Sequence, residues 1–150
     1  MIHVMASSII PASLPSVWRL VRNFDALGRW LPGVRSCGIE GNESGDRVGA
    51  IRLVEMGDVG LIREQLLALS DVDHAVTFSI VESALPVRNY RSTISLLPIT
   101  KNDHTFIQWR GQFEAPAEHA ASMEARMPTQ IYQPAFDRLA EILASETTLS

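Results

Sequence analysis

The chain has 150 residues, of which 46% are hydrophobic and 20% charged. That is enough for one domain able to bury a sizeable core, with no second domain expected over 1–150. A formal net charge of -4, with arginines scattered along the chain rather than clustered, argues against nucleic acid or an anionic membrane as the main partner. The first ten residues carry no basic leader ahead of a long apolar segment, and Cys37 is the single cysteine, so the reading is a cytoplasmic protein without membrane insertion or an intramolecular disulfide.

Residues 2–10 alternate as a first strand ended by Pro11. A short helix over 14–21 follows, with Ser13 as candidate N-cap and Pro15 in the first turn, and a second over 25–31 closes at Pro32-Gly33. The spacing then predicts strands over 34–40, 47–55, 61–70, 74–82, 89–97 and 104–114, separated by polar turns, as an antiparallel meander.

Residues 118–145 return as a long helix. Ala120, Met123, Met127, Ile131, Ala135, Leu139 and Ile142 recur at steps of three or four and define its apolar face. Pro128 and Pro134 each remove a backbone donor inside that pattern, which predicts kinks or a broken start; 146–150 reads as a frayed end. The fold class is therefore α+β, a curved seven-stranded antiparallel sheet wrapped around a long C-terminal helix, with two short helices between strands one and two.

Period-two alternation assigns the polar groups to faces. Val48, Ala50, Arg52 and Val54 share a face of the third strand, and Ile62, Glu64, Leu66 and Ala68 one of the fourth. An arginine and a glutamate at matching depth must pair or reach a polar ligand, since either alone is costly to bury. Tyr90 and Ser92 on the sixth strand, Trp109 on the seventh and Phe78 on the fifth also point inward, which makes an apolar chamber with a few polar groups, the usual form of a small-molecule site. The bland alternatives are a structural Arg52–Glu64 pair and core aromatics. No nucleophile elbow or metal-ligand spacing appears, so neither cofactor nor metal is expected.

Val17-Trp18, Phe24-Asp25, Val48-Gly49, Arg52, Glu64, the run Asn89-Tyr90-Arg91-Ser92 and the closing helix resemble the START-like, helix-grip superfamily (SRPBCC). That superfamily includes birch-pollen-allergen-like proteins and polyketide cyclase/dehydrase relatives. Val34-Arg35-Ser36-Cys37 and the stretch from Glu64 to Ser92 are similar to the plant abscisic acid receptors. There the position of Arg35 holds a lysine that meets the ligand carboxylate, and the matches to Glu64, Tyr90 and Ser92 hold ordered water. Those receptors close their pocket with a Ser-Gly-Leu-Pro-Ala gate and a His-Arg-Leu latch, whereas the corresponding stretches here read Met56-Gly57-Asp58-Val59-Gly60 and Leu85-Pro86-Val87, so hormone-dependent phosphatase binding is not implied.

The resemblance implies binding of a small hydrophobic or amphipathic molecule with a polar or carboxylate end. Arg35, Arg52, Glu64, Tyr90 and Ser92 would meet the polar end, and Phe78, Trp109, Met127 and Ile131 would cover the body. A cyclase/aromatase or dehydratase would use the same cavity, with Glu64 as base, Arg52 or Arg35 stabilising an enolate and Tyr90 as proton donor. A homodimer, or a protein partner recruited when the loops 56–60 and 83–87 close over ligand, completes the partner classes.

Overall fold

The computed structural model describes residues 1–149, and the side chains of 1–146. Its strands are β1 (Ile2–Ile10), β2 (Val34–Ile39), β3 (Ile51–Met56), β4 (Gly60–Ser70), β5 (Ala75–Glu82), β6 (Arg88–Ile99) and β7 (His104–Glu114). They form one curved antiparallel sheet in the order β1-β7-β6-β5-β4-β3-β2, so β1 closes onto the last strand and the rest is a meander. Helices α1 (Leu14–Val21) and α2 (Leu27–Trp30) lie between β1 and β2. The returning helix comprises α3 (Ala117–Arg126), a π-helical turn Met127–Tyr132, and α4 (Gln133–Leu149).

Three local departures from the expected pattern have identifiable causes. β3 begins at Ile51 rather than at 47, because Gly49 at φ 97° turns the chain out of register; Val48, expected inward, is 63% exposed. A bulge between Leu66 and Ala68 shifts the alternation of β4, leaving Ala68 exposed and bringing Leu69 against the core. β6 runs through Pro98, which was expected to lie in a turn. Leu96 donates its N–H to His74 O at 3.0 Å, so the missing donor of Pro98, two residues on, falls on the same side, beyond the end of β5, while the pairing to β7 continues to Ile99.

The long helix departs in phase. Lacking N–H groups at Pro128 and Pro134, the chain widens one turn so that Gln133 N–H reaches Pro128 O, five residues back. The buried series becomes Met123, Met127, Tyr132, Phe136, Leu139 and Leu143, with Ala135 beside them, while Ile131 and Ile142 are only half-buried. The 146–150 end is not frayed where it is described: α4 continues to Leu149 and Glu146 accepts from Arg19 at 2.7 Å, while Ser150 lies outside the described residues.

Ser13 does occupy the N-cap position of α1, but its hydroxyl bonds Ser16 Oγ at 2.9 Å instead of a backbone N–H. The helix is held from its other side. Asp71, in the β4–β5 turn, accepts from Trp18 Nε1 and Arg22 Nε, each at 2.8 Å, and from a second Arg22 nitrogen at 3.2 Å. These bonds, Arg22 foremost and then Trp18, lower the Asp71 pKa below its ordinary 3.8. A lowered carboxyl stabilises the fold above its unfolded pKa and loses that contribution as pH falls through the folded value. Asp71→Asn is expected to lower the thermal midpoint modestly at pH 7, with the gap to wild type closing below pH 3.8. A gap that persists unchanged in acid, followed by circular dichroism, would assign the loss to packing rather than charge.

Candidate functional site

The concave face of the sheet and the π-turn enclose a cavity of about 50 Å³. β3 supplies Val54, β4 supplies Ile62 and Glu64, and β5 supplies Phe78 and Ile80. Tyr90 from β6 and Trp109 from β7 line the side nearest the helix, where Met127 and Ile131 face them. Leu27 and Leu31 from the α2 region, Met56 and Leu85 complete the wall. Apart from Glu64, Tyr90 and the indole of Trp109 this surface is aliphatic or aromatic.

Glu64 is fixed from behind. Arg52 stands directly opposite it in the β3–β4 register and donates from Nε at 3.0 Å and from a terminal nitrogen at 2.6 Å, both to Oε1. The other terminal nitrogen donates to Phe24 O at 2.9 Å, and the guanidinium lies over the rings of Phe24 and Phe78 at 3.9 and 4.8 Å. Side-chain exposures of 4% and 10% make this a buried, charge-assisted pair with aromatic cover on the cation. Each of the three Arg52 nitrogens thereby donates within the protein, and the side chain does not line the cavity. Glu64 Oε2 keeps no hydrogen bond among the described residues, so it is the acceptor that the cavity wall offers.

Tyr90 and Tyr132 share a hydrogen bond between their hydroxyls at 2.5 Å. The Tyr132 ring stacks on Trp109, centroids 4.1 Å apart and 10° from parallel. Gly111, on β7, makes room for this arrangement, because a Cβ there would overlap the Tyr132 hydroxyl. Burial pushes the Tyr90 pKa up to about 12, against the opposing influence of the nearby Ser92 hydroxyl and the Tyr132 hydrogen bond, and burial likewise raises that of Tyr132. Both phenols therefore keep their protons at neutral pH. Ser92 Oγ and Trp109 Nε1 also lie toward the Tyr90 hydroxyl, yet neither reaches normal hydrogen-bond geometry with any partner. The site thus offers proton donors from Tyr90 and its neighbours and an acceptor from Glu64 within one apolar enclosure.

The structure brings Glu64, Phe78, Tyr90, Trp109, Met127 and Ile131 together around the cavity, as their inferred faces require. Ser92 is buried beside Tyr90 and Arg52 lies behind Glu64. Arg35 does not line this cavity. It falls at the β2 bulge between Val34 and Ser36, which removes it from the alternation, and its exposed guanidinium lies near Gly57 in the β3–β4 turn. Among residues not anticipated, Tyr132 is central; the two prolines flanking its turn were the available signal, since together they forecast a change of helical phase. Among the described residues, no group of three His, Cys, Asp or Glu side chains is placed to hold a metal ion.

The family model for polyketide cyclase / dehydrase and lipid transport matches residues 1–144. A segment of 91 residues is 35% identical to abscisic acid receptor PYL10 of Arabidopsis thaliana, covering 58% of this chain and 48% of the receptor, so the match spans about half the length of that relative. A solved protein of Nitrosospira multiformis superimposes with a TM-score of 0.78 at 29% identity, over 97% of this chain and 99% of the other. The protein XoxI of Bacillus cereus gives a TM-score of 0.81 at 28% identity over 96% of both chains. A norcoclaurine synthase point mutant from Thalictrum, solved with a transition-state analogue, shares the fold at a TM-score of 0.75 and 17% identity over 97% of this chain and 95% of that one. The helix-grip architecture and the match along almost the whole sequence give the same answer: the chain belongs to the polyketide cyclase/dehydrase and lipid transport family, whose members support hydrophobic ligand binding in general.

Proposed function

We propose that this protein is a single-domain cytoplasmic binding protein for a small, largely hydrophobic molecule with a neutral or hydrogen-donating polar end. The observation that carries this reading is the polar asymmetry of the cavity: aliphatic and aromatic walls, with Glu64 and Tyr90 as its ionisable groups. The charged lining residue is an acid, and the cation expected to meet a carboxylate, Arg35, lies elsewhere. A carboxylate end is therefore disfavoured by like-charge repulsion in a site of low polarity.

At about 50 Å³ the cavity holds little more than a water or two, whereas ligand pockets are commonly about 300–1,000 Å³. Binding must move part of the wall. Leu31, Met56, Ile80, Leu85 and Ile131 are the half-buried members, and of these Met56 and Leu85 belong to the segments 56–60 and 83–87 proposed as gates. A protein partner recruited on closure, or a second copy of the chain, would use the same segments.

Titration with 2-naphthol and 2-naphthoate at pH 8, read by tryptophan fluorescence, tests this. The neutral probe is expected to bind saturably and the acid at least about tenfold more weakly, a difference of about 1.4 kcal/mol. Met127→Trp, which fills the cavity, should abolish both signals. Equal affinity for the two probes would remove the charge argument, and full binding to Met127→Trp would place the probe elsewhere.

Turnover in the same cavity is the second reading, favoured by one observation: Tyr90 retains a proton up to about pH 12 and stands in the same enclosure as the Glu64 carboxylate. A donor and an acceptor across one substrate could assist a cyclisation or dehydration through proton transfer. Arg52, being bound to Glu64 and Phe24, would position the base rather than touch substrate. A new product mass formed from a metabolite extract by wild type, and not by Glu64→Gln, would establish it.

A further inference from the structure

The sheet face turned away from the helix carries a hollow of about 480 Å³ where β1, β7 and β6 lie side by side. His3 and Met5 reach it from β1, Arg110 and Gln112 from β7, and Arg91 and Thr93 from β6. The register makes this a compact cluster. Arg91 is opposite Gln112 and Arg110 opposite Thr93, so the two arginines are diagonal neighbours on one face; His3 is opposite Gln112 on the other side of β7, and Met5 opposite Arg110.

The charges in this hollow are not balanced by protein. Neither arginine side chain makes an ion pair or hydrogen bond among the described residues, whereas Arg19, Arg22, Arg52, Arg63 and Arg138 each hold a carboxylate. The nearest acid along β7, Glu114, is opposite Arg88 and already accepts from Asn89 at 2.9 Å. The two arginines are diagonal rather than directly opposite, within reach of long side chains, and both stand without a counter-charge in a chain of net charge -4. Two guanidinium forks beside the Gln112 amide, with the Thr93 hydroxyl already sharing a hydrogen bond with Thr77 at 2.8 Å, match a tetrahedral oxyanion with several negatively charged oxygens.

We infer that this outer hollow is a second binding site, separate from the internal cavity, for a phosphate-type oxyanion. The phosphoryl group can come from a soluble phosphate compound or from a lipid headgroup. In the free chain neither guanidinium has a counter-charge, and the anion supplies one. Binding therefore raises stability, and it weakens with salt because the arginines are exposed.

The test uses inorganic phosphate on the full chain, against sodium chloride at equal ionic strength. Phosphate is expected to raise the thermal midpoint and to shift amide resonances of Met5, Arg91, Thr93 and Arg110 saturably, with no change at Trp109 or Tyr132. The double variant Arg91→Gln/Arg110→Gln should bind at least about tenfold more weakly and, without phosphate, be as stable as wild type or more so. Vesicles of phosphatidylcholine with and without phosphatidic acid separate the sources: co-sedimentation that requires phosphatidic acid and both arginines supports a headgroup, and binding of free phosphate alone supports a soluble compound. Phosphate effects no larger than those of chloride, or equal in wild type and the double variant, overturn the inference.

Discussion

Arg52→Ala is expected to lose about 3–5 kcal/mol of folding stability in urea titration, the cost of leaving a buried partner charge uncompensated. Three losses coincide at this residue. Glu64, 8% exposed, would lose its counter-ion and both hydrogen bonds to Oε1; the carbonyl of Phe24 would lose its donor at 2.9 Å; and the rings of Phe24 and Phe78 would face a void where the guanidinium lay. Arg52→Lys should recover little, because an ammonium cannot donate to Glu64 and Phe24 with the geometry of a planar fork. The pair itself need not be stabilising. Arg52→Met combined with Glu64→Leu removes both charges and keeps volume, and should lie much closer to wild type than Arg52→Ala. A double variant as unstable as the single would show that the loss came from packing around Phe24 rather than from the orphaned carboxylate.

The double variant also separates stability from binding at one position. If Glu64 is the cavity's acceptor, the uncharged double variant folds but loses its preference for a hydroxyl-bearing probe over naphthalene. The same Arg52 that was expected to reach a ligand is turned onto Glu64 and the Phe24 carbonyl and does not line the cavity. That commitment follows from the number of its partners, which alternation cannot reveal.

The strands and the inward faces were legible because period-two alternation is enforced wherever one face is buried. Glu64, Phe78, Tyr90 and Trp109 follow from it directly. Alternation fails where the backbone gains or loses a residue of phase, at Val48 before the positive-φ Gly49 and at Ala68 beside the β4 bulge; Arg35, placed by resemblance rather than by alternation, lies at the β2 bulge. Each such irregularity inverts the assignment of its neighbours, and local composition barely marks it. Pro98 failed for another reason, since whether a missing donor matters depends on which neighbour strand has ended, a tertiary fact. In the helix, Pro128 and Pro134 announced a disturbance but not its sign, a kink or a widened turn.

That widened turn makes Tyr132 the second position of large effect. Tyr132→Ala is expected to cost about 3–5 kcal/mol, as for other buried aromatic truncations, because it removes the stacking partner of Trp109 and the hydrogen-bond partner of Tyr90 together. The decisive comparison is with Gly111→Ala. A Cβ at Gly111 would overlap the Tyr132 hydroxyl and approach Val4 Cγ2 at 3.3 Å, so overpacking should cost about 1–3 kcal/mol. Tyr132→Phe removes the obstructing oxygen at the cost of leaving Tyr90 without its partner, about 1–3 kcal/mol. If the hydroxyl is what Gly111 accommodates, the two changes together cost less than their sum, and near-UV circular dichroism of the Trp109 stack, weakened by Gly111→Ala, returns in the double variant. Strict additivity would mean instead that Val4 opposes the new methyl, and that the π-turn places the Tyr132 ring without any help from the missing side chain on β7.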